Sequence, residues 1–556
     1  MNCTHHHHHR HHHNSRQLLH NSFSRIQMHW RSYLVPFLGA CAVGVSGNPQ
    51  VDLGYARYRG IRLPAGVDEY LGMRYAAPPL GQQRFRAPAD PISTSYIQDA
   101  FEFGPTCIGV GEEISQSVGE DCLFINVFAP SNATALSKLP VWVHIQGGGY
   151  ASNSNANFNG TDVIQHSGYD LVFVNFNYRV GALGFLASEE IRREGDLNVG
   201  LLDQRKALTW IKQYIDKFGG DPDHVVVHGD SAGAGSVTHH MTAYGGGEEG
   251  LFTGAVLESP FWPTLRKVAE MESQYTRFMD DVGCSNSSSA LACLQSADLT
   301  IIQKANVPSP FPNAPSDPLP LWYFLPVIDG EMVQDQLYRL FDQGKTLRIP
   351  VLVGDDTNEG SIFAYNAKDS SDMSRFLQAN YPGLSPTNMS TIMAAYPRMR
   401  PVADHGAYFP SASAAYGDAT FTCPGNSIAA SMADRVWNYR YNVRAPELID
   451  EGLGVPHIFE ISAIFGVGFA GDSETTSYNG INANVVATVM DYWTSFVKVL
   501  DPNPLRRGHT PRWEPWMPDL AQRLKIQTNS TAMEPIPGQQ ANRCSMWRGL
   551  APEMEI

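Results

Sequence analysis

Five short apolar runs constrain the chain most: VWVHI (141–145), LVFVNF (171–176), VVVH (225–228), GAVLES (254–259) and IPVLVG (349–354). Each is apolar without alternation and most are rich in β-branched or aromatic residues, the pattern of strands buried on both faces. Between the second and third lies GLLDQRKALTWIKQYIDKFGG (200–220), whose Leu201, Ala207, Leu208, Ile211, Ile215 and Phe218 recur at helical spacing. Strands alternating with helices build an α/β fold, a large and mostly parallel central sheet with helices on both faces. Reactive groups in such sheets gather at the carboxyl ends of the strands.

One serine stands at such an end. VVVHGDSAGAGS (225–236) places Ser231 in a G-x-S-x-G pattern, with a strand before it and AGAGSVTHHMTAY able to start a helix behind it. In a chain with 49 glycines the pattern alone marks only a tight turn. Strand before and helix after make it a nucleophile elbow that lifts the serine oxygen into a cleft. A serine attacks only with a base to take its proton and donors to hold the oxyanion. HIQGGGYASN (144–153) supplies glycines directly after a strand, so the N–H groups of Gly148 and Gly149, with that of Ala232, are the expected donors.

The base and acid are narrowed by chain order, which in this fold runs Ser, acid, His. An acid on PVLVGDDTNEG (350–360) is Asp355, Asp356 or Glu359, and the histidines beyond it are His405, His457 and His509. His239 and His240 ride the helix behind the serine, roughly 12 Å away.

Residues 1–27 are read as a His-rich leader, a tag or an over-extended gene model. Residues 28–47, MHWRSYLVPFLGACAVGVSG, have the basic, apolar and small-residue regions of a secretory signal peptide. Their apolar run falls short of the roughly twenty residues that span a bilayer, so no stable membrane insertion is expected. Residues 48–556 form a single catalytic domain, without internal repeats or a long linker. Residues 1–47 hold four basic and no acidic side chains, so the remainder carries 36 basic against 55 acidic groups, a formal charge of −19. Such an acidic body repels polyanions, which excludes nucleic acid as a partner. Six of the eight cysteines remain after residue 47, an even number that suits disulfides in a secreted, extracellular protein. Asn132, Asn159, Asn286, Asn388 and Asn529 head N-x-S/T sequons and are candidate N-glycosylation sites.

Several segments together resemble the type-B carboxylesterase/lipase family, the cholinesterase-like branch of the α/β-hydrolases, and within it the secreted carboxylesterases of filamentous fungi such as Aspergillus. GDSAGAGS resembles the family's serine signature and EDCLFINVF (120–128) its second signature, while FGGDPDHVVVHG (218–229) and NYRVGALGFL (177–186) also match family segments. The resemblance runs from about residue 50 to the C-terminus and implies an α/β-hydrolase fold. It selects Glu359, the glutamate before glycine in DDTNEGS, as the acid, and His457 in GVPHIFEISAIFG as the base. It also implies the bridges Cys107–Cys122, Cys284–Cys293 and Cys423–Cys544.

The family implies a serine hydrolase of carboxylic esters that works through an acyl-enzyme, with no cofactor and no metal. The Cys107–Cys122 loop holds fourteen residues and no tryptophan. It is too short for a lipase lid and lacks the aromatic face that binds choline. The expectation is a secreted carboxylesterase for short-chain or small esters. The alternatives are a lipase for longer chains and a catalytically inactive binding protein. By family position Phe261 and Trp262 are expected to line the substrate pocket, with core packing as the competing role for both.

Overall fold

In the computed structural model the described residues are 47–154, 156–247, 249–433, 435–469 and 476–556. The leader and all but the last residue of the signal-like stretch lie outside them. Within Asn48–Ile556 the central sheet has eleven strands. In chain order they are β1 (Ile61–Arg62), β2 (Val67–Arg74), β3 (Phe124–Pro130), β4 (Leu139–Ile145), β5 (Val172–Phe176), β6 (Gly220–Asp230), β7 (Gly254–Glu258), β8 (Val351–Asp356), β9 (Val436–Tyr441), β10 (Gln522–Ile526) and β11 (Ala532–Pro535).

Their order across the sheet is β11-β10-β9-β8-β7-β6-β4-β5-β3-β2-β1. From β5 to β10 every neighbouring pair is parallel, while β1, β2, β3 and β11 join antiparallel at the two flanks. The mostly parallel α/β sheet expected from the apolar runs is therefore present, with antiparallel edges that those runs did not mark. β8 continues through Asp355 and Asp356, past the end expected at 354, because both still pair with Arg440 and Tyr441 of β9.

The strands send successive residues to two separate cores. Val225, Val227, Val143 and Ile145 enter one core, together with residues of α1 (Val199–Tyr214), α2 (Ala232–Thr242), α3 (Phe409–Gly417), α4 (Cys423–Ser431) and the C-terminal helix Gly538–Met554. Val226, Trp142 and Leu352 enter the other, covered by Val489, Trp493 and Phe496 of the helix Ala483–Val499. Each fully buried aliphatic or aromatic side chain contributes about 1.5–3 kcal/mol, so the double-faced core fixes the sheet. Bridges join Cys107 to Cys122, Cys284 to Cys293 and Cys423 to Cys544, the pairing the family resemblance implies.

Candidate active site

β6 ends at Asp230 and α2 begins at Ala232, leaving Ser231 alone in the turn with φ 53° and ψ −120°. That conformation is costly for a residue with a side chain, and surrounding contacts impose it. The Ser231 N–H donates to Glu258 O at 2.9 Å, and Ser231 O accepts from Gly235 at 2.9 Å and from Phe261 at 3.2 Å. The helix start also presses onto the end of β4. A methyl on Gly233 would stand 1.9 Å from Ile145 O, so only glycine fits there.

The glycine loop follows β4 directly. Gly148 (φ 107°) and Gly149 (φ 62°) adopt left-handed conformations. Their amides donate to no other group among the described residues. Ala232 opens α2, so its amide has no intrahelical acceptor.

Among the acids, Glu359 is the one that meets an imidazole. Its Oε2 is hydrogen-bonded to His457 Nδ1, and its Oε1 accepts from Ser259 Oγ at 2.6 Å and from the Asp356 amide at 2.7 Å. His457 Nε2 is buried and takes part in no hydrogen bond among the described residues, Ser231 included. The competing side chains are placed elsewhere. Asp355 lies 3.6 Å from Arg523, and Asp356 accepts from the Phe459 amide at 3.2 Å. His405 stacks on Phe409 at 3.9 Å, and His509 is exposed.

Four aromatic rings connect the three groups. Phe261, whose amide bonds Ser231 O, faces Trp322 at 5.6 Å and Phe421 at 5.6 Å. Phe421 lies 4.3 Å from His457, Phe363 lies 5.0 Å from His457, and Phe363 faces Trp322 at 5.9 Å. Trp322 in turn lies over Gly149, and its indole N–H donates to Tyr416 at 3.0 Å. Trp262 points away from this ring. It is fully buried between Tyr338 and Phe341 and donates to Thr238 of α2 at 3.1 Å, which makes it a core residue. Trp322, Phe363 and Phe421 carry no local motif and escape sequence reasoning.

Beneath the turn lies a layer of buried ionisable groups. His144 Nε2 meets Asp230 Oδ1 at 3.0 Å. His228 Nδ1 accepts from Trp142 at 3.0 Å, and its Nε2 lies 2.9 Å from Glu258 Oε1 without alignment for a hydrogen bond. Burial pushes the His228 imidazole well down, and nearby His144 adds to it. Glu258, Asp356 and Glu460 are fully buried, and Glu258 accepts from the Trp493 indole and Glu460 from the Tyr439 hydroxyl, both neutral donors. Burial raises all three carboxyls, with repulsion from Glu460 next in importance for Glu258 and Asp356.

A family model described as the Carboxylesterase family matches residues 47–547. Lipase 2 of Geotrichum candidum is 29% identical over 529 residues, covering 85% of this chain and 90% of that one. Secreted lipase 4 of Gibberella zeae is 30% identical over 499 residues, covering 85% and 86%. The crystal structure of Aspergillus niger EstA superposes with a TM-score of 0.91 at 57% identity, covering 92% of this chain and 99% of that one.

Proposed function

The chain belongs to the carboxylesterase family and is a serine hydrolase of carboxylic esters, and we propose that it is a secreted esterase for short acyl chains, acting through Ser231, His457 and Glu359. Ser231 Oγ attacks the ester carbonyl while His457 Nε2 takes its proton. Gly148, Gly149 and Ala232 hold the oxyanion, and His457 then protonates the leaving alcohol. Water repeats the cycle on the acyl-enzyme. Glu359 keeps Nδ1 protonated, so that Nε2 is the free base.

One observation carries this reading. Glu359 is pinned by Ser259 and the Asp356 amide on one oxygen and by His457 Nδ1 on the other, and His457 Nε2 has no hydrogen-bond partner among the described residues. The aromatic ring of Phe261, Trp322, Phe363 and Phe421 supports short chains, because it closes over the glycine loop and His457. The relatives named as lipases favour the second reading, hydrolysis of longer chains.

Secretion is supported by the signal-like residues 28–47 and by the relative named as a secreted lipase. No helix among the described residues is long and apolar enough to cross a membrane. Asn132, Asn286 and Asn529 are exposed and open to glycosylation, and Asn159 and Asn388 are half-buried, each accepting a backbone hydrogen bond at Oδ1. The test is hydrolysis of p-nitrophenyl esters from acetyl to palmitoyl, with Ser231→Ala beside the parent. A short-chain optimum that disappears in the variant is expected. A long-chain optimum would establish the lipase reading, and activity that survives in Ser231→Ala would exclude this serine.

A further inference from the structure

Three consecutive glycines are a poor platform for an oxyanion hole unless something fixes them. Donors must lie within about 0.5 Å of the productive position, yet glycine gives up more backbone freedom on ordering than any other residue. The side chain that ties this loop to the nucleophile turn is Asp230. Its Oδ1 accepts from the Gly147 amide at 3.2 Å, and Asp230 immediately precedes Ser231. Contact there is close. A methyl on Gly147 would stand 2.6 Å from Asp230 Oδ2 and 2.9 Å from Ser231 Cβ.

The same Oδ1 also faces His144 Nε2 at 3.0 Å, and both side chains are essentially inaccessible, at 1% and 0% exposure. A carboxylate only accepts, so the ring nitrogen is the donor. His144 and Asp230 stand on neighbouring strands, since β4 and β6 pair His144 with His228, two residues before Asp230 on the same face. Phe158 stacks on the His144 ring at 4.7 Å and Phe465 meets it edge-on at 5.1 Å, so the imidazole has no room to turn.

The geometry points to His144 as a positioning residue of the ester-hydrolysis site. It aims the Asp230 carboxylate at the Gly147 amide and thereby sets the distance between Ser231 and the N–H groups of Gly148 and Gly149. This rests on the assignment of Ser231 as nucleophile and of that loop as oxyanion donor. Two strands and the loop then meet at one oxygen, and the loop inherits the rigidity of the sheet. Truncating either side chain lets the loop relax. Substrate still binds, because the aromatic ring is untouched, but the oxyanion loses its aligned donors.

The experiment compares the parent with His144→Leu, His144→Gln, Asp230→Ala and the His144→Leu/Asp230→Ala double variant. It reads kcat and KM on p-nitrophenyl acetate and the affinity for a trifluoromethyl ketone that mimics the tetrahedral adduct. Complete loss of one oxyanion donor costs about 100- to 1000-fold, and a mis-aimed loop retains part of that. His144→Leu is expected to lower kcat about 10- to 100-fold with KM within about twofold, and to weaken the ketone in proportion. His144→Gln, which keeps an N–H donor, recovers most of the loss, and the double variant is no worse than Asp230→Ala.

Unchanged kcat in His144→Leu, or multiplicative losses in the double variant, would overturn the role. If His144→Leu does not fold, Asp230→Ala alone decides, because a kcat equal to the parent's rejects the clamp. Fluorophosphonate labelling of the parent separates the two levels. Absence of label on Ser231 refutes the nucleophile assignment, whereas labelled variants with intact kcat refute only the clamp.

Discussion

Trp322 lies so close over Gly149 that a methyl added to the glycine would stand 2.1 Å from two carbons of the indole. The loop and the tryptophan therefore define one wall between them. Trp322→Ala is expected to move the acyl-chain optimum of p-nitrophenyl ester hydrolysis to longer chains while acetyl-ester kcat stays within about tenfold. An unchanged chain-length profile would place Trp322 outside the acyl path. Gly149→Ala forces the loop and the ring apart, and a fall in kcat of about 100-fold is expected from the displaced donor.

Glu359 accepts three hydrogen bonds, from Ser259, from the Asp356 amide and from His457. Glu359→Gln replaces one accepting oxygen by an NH2 group that must face a donor, and the imidazole turns to the wrong tautomer. The expected loss in kcat is about 1000- to 10,000-fold at nearly constant fold stability. Ser259→Ala removes one of the three bonds and is expected to cost about tenfold or less. Steady-state kinetics with circular dichroism on the same samples tests both, and a full-rate Glu359→Gln enzyme would remove Glu359 from the mechanism.

Asp355 is buried, and its carboxyl is pushed up to about 7 from 3.8, chiefly by burial and against the attraction of Arg523. A carboxyl raised in the native state holds its proton more tightly there than in the unfolded chain. Its contribution to stability is complete below about pH 4 and is lost as pH rises through about 7. Asp355→Asn does not titrate. Its stability relative to the parent should therefore rise between about pH 4 and pH 7, by an amount on the order of 4 kcal/mol. The buried histidines slope the other way, His239 being pushed down to about 4 by burial, but they are common to both proteins and cancel. Urea unfolding of the two proteins across this window is the measurement, and a pH-independent difference refutes it.

Cys423 and Cys544 are 121 residues apart and staple α4 to the C-terminal helix. On the chain-entropy model a loop of this length is worth about 5 kcal/mol. Cys423→Ser/Cys544→Ser should shorten the half-life at elevated temperature, while Cys284→Ser/Cys293→Ser, which opens a separation of 9 residues, should have a smaller effect. Equal half-lives would refute the ranking of the two bridges by loop length.

How much was legible in the sequence depends on how local each signal is. The runs 141–145 and 225–228 sit inside β4 and β6, and the serine turn and glycine loop follow them where expected. Local residues left three acids and three histidines open, because what separates Glu359 from Asp355 is contact with His457, 98 residues away. Trp322, Phe363 and Phe421 were invisible for the same reason: they meet only when three segments far apart in the chain converge. His144 and His228 had a signal that went unused. A histidine in the same place of two otherwise apolar strands must find a buried partner, and these partners are Asp230 for His144 and the Trp142 indole N–H for Nδ1 of His228.

The parallel pairing of β7 with β8 spans the ninety or so residues between Glu258 and Val351, and His457 comes after a further strand. Contacts of such long sequence separation close slowly. On the proposed triad, the serine turn can therefore assemble well before Glu359 and His457 arrive, and hydrolysis begins only once both have been brought to it. In refolding or in synthesis, the first appearance of esterase activity times the arrival of Glu359 and His457, with β10, β11 and the C-terminal helix still following in the chain.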